Sequence, residues 1–261
     1  MRHIEFVRLV NRYLSRVLKV VGGIVALVAL CAGYARFVEP TWLCIRHVTL
    51  SAAPTVRVIH ITDIHFKGDT QYLEKVVATI NRLDADLVCF TGDLVEDASC
   101  LDGALRILSK VNKPMYGVPG NHDQWVLRSF DSLRDTFRRT GGDWLSGPSI
   151  LVPSKHVVLM TVAGCHEPTP PGYKRILMEH HPDIAAQRGG LRFDVMLAGH
   201  THGGQVRIPF ANRSALPIDI GKYDRGLFQT ASGPLYVNPG IGTFYLNMRF
   251  ICRPEITVIE I

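Results

Sequence analysis

Val56-Arg57-Val58-Ile59-His60-Ile61-Thr62-Asp63-Ile64-His65 opens the globular part of this chain. The β-branched run behind Pro54 reads as a buried strand, and it stops at an acid and a histidine. The arrangement recurs twice. Leu87-Val88-Cys89-Phe90 ends at Thr91-Gly92-Asp93, and Met115-Tyr116-Gly117-Val118 ends near Gly120-Asn121-His122-Asp123. Between these runs, Leu73, Val76, Val77 and Ile80 recur at helical spacing over residues 70–83, with Thr70 placed to cap them. Leu101, Leu105 and Leu108 do the same over residues 101–110. Strand and helix alternating at this pitch predict an α/β fold with right-handed crossovers and a mainly parallel sheet. The polar motifs would then meet at the carboxyl ends of the strands, where ligands gather in such sheets.

Outward from this core, residues 129–140 read as a further helix. From residue 144 the pattern turns β-rich, with runs at 149–152, 156–163, 175–179, 194–198, 226–230, 235–238 and 255–261. These are expected to pair into a second sheet packed on the first. No internal repeat or low-complexity tract is visible. The expected organisation is a basic flank and hydrophobic anchor over 1–37, a connector over 38–54 and one domain over 55–261.

The chain of 261 residues is long enough for one domain with a large core, and 47% apolar with 20% charged residues is a globular composition. A net charge of +6 could suggest a nucleic-acid partner, but its placement argues otherwise. Arg2, Arg8, Arg12, Arg16, Lys19 and Arg36 stand against Glu5 alone in the first 36 residues, so the body is close to neutral and no nucleic acid is expected. Residues 20–35 carry no charge. That run is short of the roughly 20 residues a spanning helix wants, and Val17 and Leu18 lengthen it if Lys19 snorkels. A membrane anchor is the favoured reading, ahead of a cleaved signal peptide and a buried core helix, because basic residues crowd just before the run. No Arg-Arg pair precedes it, and Leu30 before Cys31 makes a poor lipobox.

If the helix spans, its basic flank puts the domain outside the cytoplasm. If it lies in the interface, the same residues hold the protein to the anionic inner leaflet. Cys31, Cys44, Cys89, Cys100, Cys165 and Cys252 form no CxxC spacing and no disulfide framework, which favours a reducing compartment and so the cytoplasmic face of the membrane.

Each polar motif alone has an ordinary explanation. Asp63 and His65, two apart in extended chain, point to one side and can reach one cation, or are a loop carboxylate beside a surface histidine. Asp93 after Gly92 can bridge two cations or simply close a turn. Asn121 offers an amide oxygen to a hard cation, His122 a proton, and Asp123 a partner for that ring, or the three form an Asx-type turn. His180 ends the run at Glu179. Gly199-His200-Thr201-His202-Gly203-Gly204 sets two histidines in a bend that suits close approach of a ligand better than a core or a surface.

Together, Asp-x-His, Gly-Asp, Gly-Asn-His-Asp, His180-His181-Pro182-Asp183 and Gly-His-Thr-His-Gly-Gly-Gln resemble the calcineurin-like metallophosphoesterase superfamily. The resemblance covers residues 56–261, including Tyr236-Val237-Asn238-Pro239-Gly240-Ile241-Gly242 and Arg249-Phe250-Ile251-Cys252-Arg253-Pro254-Glu255-Ile256. It implies two packed mixed sheets flanked by helices, a four-layer sandwich, here behind an N-terminal membrane helix. It implies Asp63, His65 and His202 on one metal, Asn121, His180 and His200 on a second, Asp93 between them, and His122 with Asp123 in catalysis. His181 would be a neighbour. Mn²⁺ is the first expectation for both metals, with Fe or Zn²⁺ as alternatives.

The chain looks similar to the membrane-anchored bacterial members. Residues 34–43 look like the anchor junction of the branch that hydrolyses UDP-2,3-diacylglucosamine to lipid X and UMP in lipid A synthesis. A lipid bilayer and a phosphorylated lipid or nucleotide-lipid substrate are the implied partners. A general phosphodiesterase or phosphatase for soluble esters is the alternative. A non-catalytic scaffold is the remote one, since no expected ligand is missing.

Overall fold

The computed structural model describes residues 2–145, 147, 149–187, 189–210, 214–218 and 220–261. In chain order its helices are α1 (Arg2–Phe37), α2 (Thr70–Arg82), α3 (Leu101–Leu108), α4 (Asn121–Val126), α5 (Asp131–Arg139) and α6 (Pro182–Ala186). Its strands are β1 (Cys44–Thr49), β2 (Arg57–Ile61), β3 (Leu87–Phe90), β4 (Met115–Gly117), β5 (Asp143–Trp144) and β6 (Ser149–Val152), then β7 (Val157–Met160), β8 (Lys174–Met178), β9 (Val195–Ala198), β10 (Gly226–Thr230), β11 (Gly233–Val237) and β12 (Glu255–Glu260).

Two mixed six-stranded sheets form, in the orders β1-β12-β2-β3-β4-β5 and β10-β11-β9-β8-β7-β6. Period-two alternation in the short central strands explains why they stack. Leu87 and Cys89 of β3 face the core between the sheets, while Val88 and Phe90 face the helices. In β9, Val195 and Leu197 enter the same central core, and Met196 and Ala198 face the outer side near α6. With both faces covered, these strands read as continuous apolar runs. On the helical side, Leu73, Val76 and Ile80 of α2 pack on Ile59 and Ile61 of β2. Phe137 and Trp144 close that layer edge to face at 5.2 Å. The result is two sheets flanked by helices.

β2, β3, β4 and β5 run parallel, so their carboxyl ends share one rim. β7, β8, β9 and β11 are likewise parallel in the second sheet. The crossover pattern thus delivers the loops after β2, β3, β4, β8 and β9 to one place.

Three expectations change. The run at 255–261 does not join the second sheet: β12 inserts into the first, antiparallel to β2 and parallel to β1. β1 lies in the stretch read as a connector, where its residues alternate without an apolar period because it is an edge strand exposed along most of its length. The cap of α2 is Asp69, whose carboxylate accepts the Tyr72 N–H, so Thr70 is the first helical residue.

α1 is long and apolar enough to cross a membrane, and Leu14, Leu18, Val21, Val25 and Val28 are exposed along it. Its end is fastened to the domain. The Arg249 N–H donates to Ala35 O at 2.9 Å. The Tyr34 ring meets Trp42 and Phe250 edge-on at 6.5 and 6.2 Å. Glu39, only 1% exposed, accepts the backbone N–H groups of Ile251 (3.0 Å) and Cys252 (2.5 Å).

Candidate metal centre

The rim loops are held in backbone conformations that L-residues rarely adopt. Asp63 (φ 49°), His65 (φ 42°), Asp93 (φ 60°), His200 (φ 71°) and His202 (φ 50°) all lie in the left-handed region. Such strain persists only where surrounding contacts hold it, and it clusters at functional sites. The contacts are present. The N–H groups of Asp63 and His65 donate to Gly92 O and Asp93 O at 2.9 and 3.0 Å, tying the loop after β2 to the loop after β3. Gly92 (φ 96°) has no alternative residue, because a Cβ there would overlap the Gly120 backbone.

Asp63 and His65 come together by a different route from the one expected of an extended chain. They do not meet as i and i+2 of an extended strand. Two left-handed residues fold the chain so that His65 Nε2 lies 3.9 Å from Asp63 Oδ1.

The side chains converge in two groups. In the first, His65 Nε2 and His202 Nε2 are 3.0 Å apart, and His202 Nε2 is 3.4 Å from Asp63 Oδ1. In the second, His200 Nδ1 lies 3.0 Å from Asn121 Oδ1 and 3.2 Å from His180 Nε2. Asp93 Oδ2 stands between them, 3.6 Å from His65 Nε2 and 3.3 Å from His180 Nε2. All seven residues read from the motifs are therefore in one cluster. His181 lies beside it, its ring 4.4 Å from that of His200.

The chemistry of the donor set bears on which ions it can hold. Asp63 and Asp93 are buried, and among the described residues no lysine or arginine pairs with either. Buried carboxylates require compensating positive charge. Without metal only the histidines can supply it. Burial resists charge on His65, yet the Asp63 and Glu96 carboxylates overcome it and hold the ring up at about 9. His180 likewise reaches about 9 against burial, through Asp93. Burial wins at His202 and His200, pushed down to about 3 and about 4. Burial also opposes ionisation of Asp63 and Asp93, but their histidine neighbours, His202 first for Asp63 and His180 first for Asp93, keep both below the usual carboxylate range. Protons on some of these histidines stand in for positive charge among oxygen and imidazole donors of the kind that suit two divalent cations. The residues fit a dinuclear centre.

Neighbouring groups orient the rings. The His180 Nδ1–H donates to Thr91 O at 2.7 Å, which leaves Nε2 facing the cluster. Glu96 Oε1 sits 3.2 Å from His65 Nδ1 and also pairs with Lys67 at 3.2 Å. Glu96 belongs to no motif, and no spacing in the sequence points to it. Arg249 is buried and donates to the carbonyls of Pro239, Gly240, Gly242 and Cys252. The Gly242 N–H in turn donates to Asp63 O at 2.7 Å. Cys252 Sγ donates to His202 O at 3.2 Å.

Asp123 is not a partner of the His122 ring. Its oxygens accept the backbone N–H groups of Asp93 (2.8 Å), Leu94 (2.8 Å) and Gly120 (3.0 Å), so it pins the Asp93 loop. The physical reason is local: at the third position of α4, a short acid turns back toward the helix start. His122 instead packs against the rings of His65 (5.0 Å), Trp125 (4.9 Å) and Phe244 (4.8 Å) at the half-buried mouth.

With this geometry in hand, comparison with known proteins is direct. The calcineurin-like phosphoesterase family profile matches residues 56–204. The Bacillus subtilis metallophosphoesterase YkuE is 30% identical over 87% of this chain and 88% of its own. The Escherichia coli phosphodiesterase YaeI is 28% identical over 88% and 92%. The UDP-2,3-diacylglucosamine pyrophosphatase LpxG of Chlamydia trachomatis is 24% identical over 78% and 83%.

Because His65 and His180 are raised from 6.5 to about 9, their contribution to stability in chelator-treated protein is complete below about pH 6.5 and is lost as pH rises through 9. The melting temperature of chelator-treated protein should fall across that window, while a Mn²⁺-loaded sample should not. A flat profile for the metal-free protein would contradict the charge arrangement.

Proposed function

Since this chain belongs to the calcineurin-like phosphoesterase family and is a metal-dependent phosphoesterase, we propose that it works at a membrane surface on a lipid-linked phosphoester or pyrophosphate. One observation carries the membrane part. The end of the apolar helix is hydrogen-bonded through Arg249 into the loop that touches Asp63. A substrate held in the bilayer would therefore meet the centre without leaving the interface. The specific substrate proposed is UDP-2,3-diacylglucosamine, cleaved to lipid X and UMP, on the strength of the likeness to LpxG.

In this reading Asp63, His65 and His202 hold one cation, Asn121, His180 and His200 the other, and Asp93 reaches both. Mn²⁺ is proposed for each. When bound, two divalent cations supply polarisation of a phosphoryl oxygen and an acidified attacking water. The protein supplies the rest. His122 is held by Trp125 and Phe244, and burial, the largest influence on its ring, keeps it below the ordinary histidine value and hence neutral near pH 7. A neutral imidazole donates one N–H, here directed to the charge growing on phosphoryl oxygens or to the leaving oxygen. Phe244, stacked on His65 and His202 at 5.7 and 6.1 Å, keeps water off one side. Asp123 acts as a positioning residue for Asp93. Its removal would leave three backbone N–H groups without acceptors, each costing about 1–3 kcal/mol.

The likeness to the phosphodiesterase YaeI favours a second reading, hydrolysis of phosphodiesters, with soluble esters as the substrates proposed for it. The domain is proposed to face the cytoplasm, since all six cysteines are free thiols, as a reducing compartment keeps them. Protease treatment of intact cells should then spare it, and cleavage would place it outside.

His122→Ala should leave two metals bound, by elemental analysis, and lower turnover about 10²- to 10⁴-fold. Unchanged turnover would remove His122 from the reaction. Full-length protein with Mn²⁺ should release UMP from UDP-2,3-diacylglucosamine faster than it cleaves soluble diesters. Diester cleavage without UMP release would sink the lipid substrate and leave the second reading.

A further inference from the structure

The two sheets diverge at one edge. β1 ends the first sheet and β10 ends the second, each pairing on one side only among the described residues, and a cleft of 920 Å³ lies between them. That volume is at the upper end of the range of roughly 300–1,000 Å³ that takes whole small molecules. The cleft is not the metal centre. Pro239 lines it, and the 239–242 loop stands between it and Asp63, with Arg249 binding that loop's carbonyls.

Its lining has two characters. Ile45 of β1, Leu227 of β10 and Ile251 present aliphatic surface, 46%, 43% and 48% exposed. The charged side is cationic in balance. The Glu255 carboxylate at the floor, 4% exposed, is satisfied by Arg46 Nε (3.0 Å), the Tyr236 hydroxyl (2.5 Å) and the Thr257 hydroxyl (2.8 Å). Glu39 is turned to the backbone of Ile251 and Cys252. Arg225 and Arg253 remain. Arg225 donates to Ile251 O at 2.8 Å, and Arg253 donates to Trp42 O and Leu43 O with its guanidinium 4.2 Å from the Trp42 ring. Among the described residues neither has a carboxylate at ion-pair distance.

The place of the cleft completes the argument. Tyr34, in the last turn of α1, and Glu39, two residues beyond it, line the cleft. If α1 is inserted, the cleft opens in the headgroup layer. A soluble anion would leave three exposed aliphatic side chains unexplained, and an acyl chain alone would leave two arginines unexplained. We propose that this cleft binds an anionic phospholipid of the surrounding bilayer, with its phosphate on Arg225 and Arg253 and an acyl chain along Ile45 and Leu227. Such a lipid would seat the domain on the membrane at a second point beside the helix. The inference rests on the membrane reading above and is independent of which phosphoester is hydrolysed.

The test uses the full chain in phosphatidylcholine nanodiscs that carry either phosphatidylglycerol or phosphatidylcholine with a photoreactive acyl chain, with crosslinks mapped by mass spectrometry. The glycerol lipid should label peptides containing Ile45 and Leu227 as well as α1. Arg225→Glu should reduce the cleft label about tenfold, as loss of one charge-assisted phosphate bond implies, and leave the α1 label unchanged. Leu227→Asp, on an exposed edge, should do the same from the apolar side. Both variants are checked by melting temperature and by turnover of a soluble diester, which should stay at the parent value. Label on α1 without label in the cleft overturns this inference alone. No label anywhere overturns the membrane reading first. Equal cleft labelling by the choline lipid, or labelling indifferent to both substitutions, overturns the headgroup assignment.

Discussion

Two buried carboxylates that no lysine or arginine neutralises among the described residues, Asp63 and Asp93, set the terms for the rest of this structure. Burial raises the cost of ionising both, and Asp63 adds to it at Asp93. The fold meets that cost with imidazoles on loops from both sheets. It can do so only because parallel strands deliver those loops to one rim, and because left-handed residues then turn the side chains inward. The same demand makes the site a cation trap. Protons and divalent metals compete for one set of lone pairs, and the metals bring more charge to each site.

Much of this was legible in the chain because it is written locally. β3, β6 and β10 coincide with the apolar runs at 87–90, 149–152 and 226–230, since a strand buried or half-buried between turns carries its own boundaries. The strand-end motifs were legible as a set: each alone reads as a turn or a surface pair, but the five in order resemble one family. What was not legible depends on distant partners. Cys44 to Thr49 shows no apolar period because β1 is an exposed edge, and nothing within residues 255–260 says which sheet they enter. Asp123 lies beside His122 in sequence, which suggested a pair, but helix geometry turns its carboxylate back to the backbone of Asp93 and Gly120. Glu96, Arg249 and Glu39 act through backbone groups or ring nitrogens far along the chain, so no spacing announces them.

The junction between helix and domain is more than a tether. Arg249 ties Ala35 to the carbonyls that flank Asp63, while Glu39 holds the backbone of Ile251 and of Cys252, whose thiol meets the His202 carbonyl. Two candidate metal-binding residues thus lean on contacts that begin at the end of the helix. The aromatic cluster of Tyr34, Trp42 and Phe250 keeps that end from swinging.

β12 comes after every other described strand, yet it lies between β1 and β2. Neither neighbour can complete its hydrogen bonds until residues 255–260 have left the ribosome. At about 5–20 residues per second, α1 emerges many seconds earlier. The apolar helix therefore has time to reach a bilayer while the first sheet is still open along its middle. Synthesis order alone would make anchoring precede closure, so the catalytic rim would take shape only after the chain has reached its address.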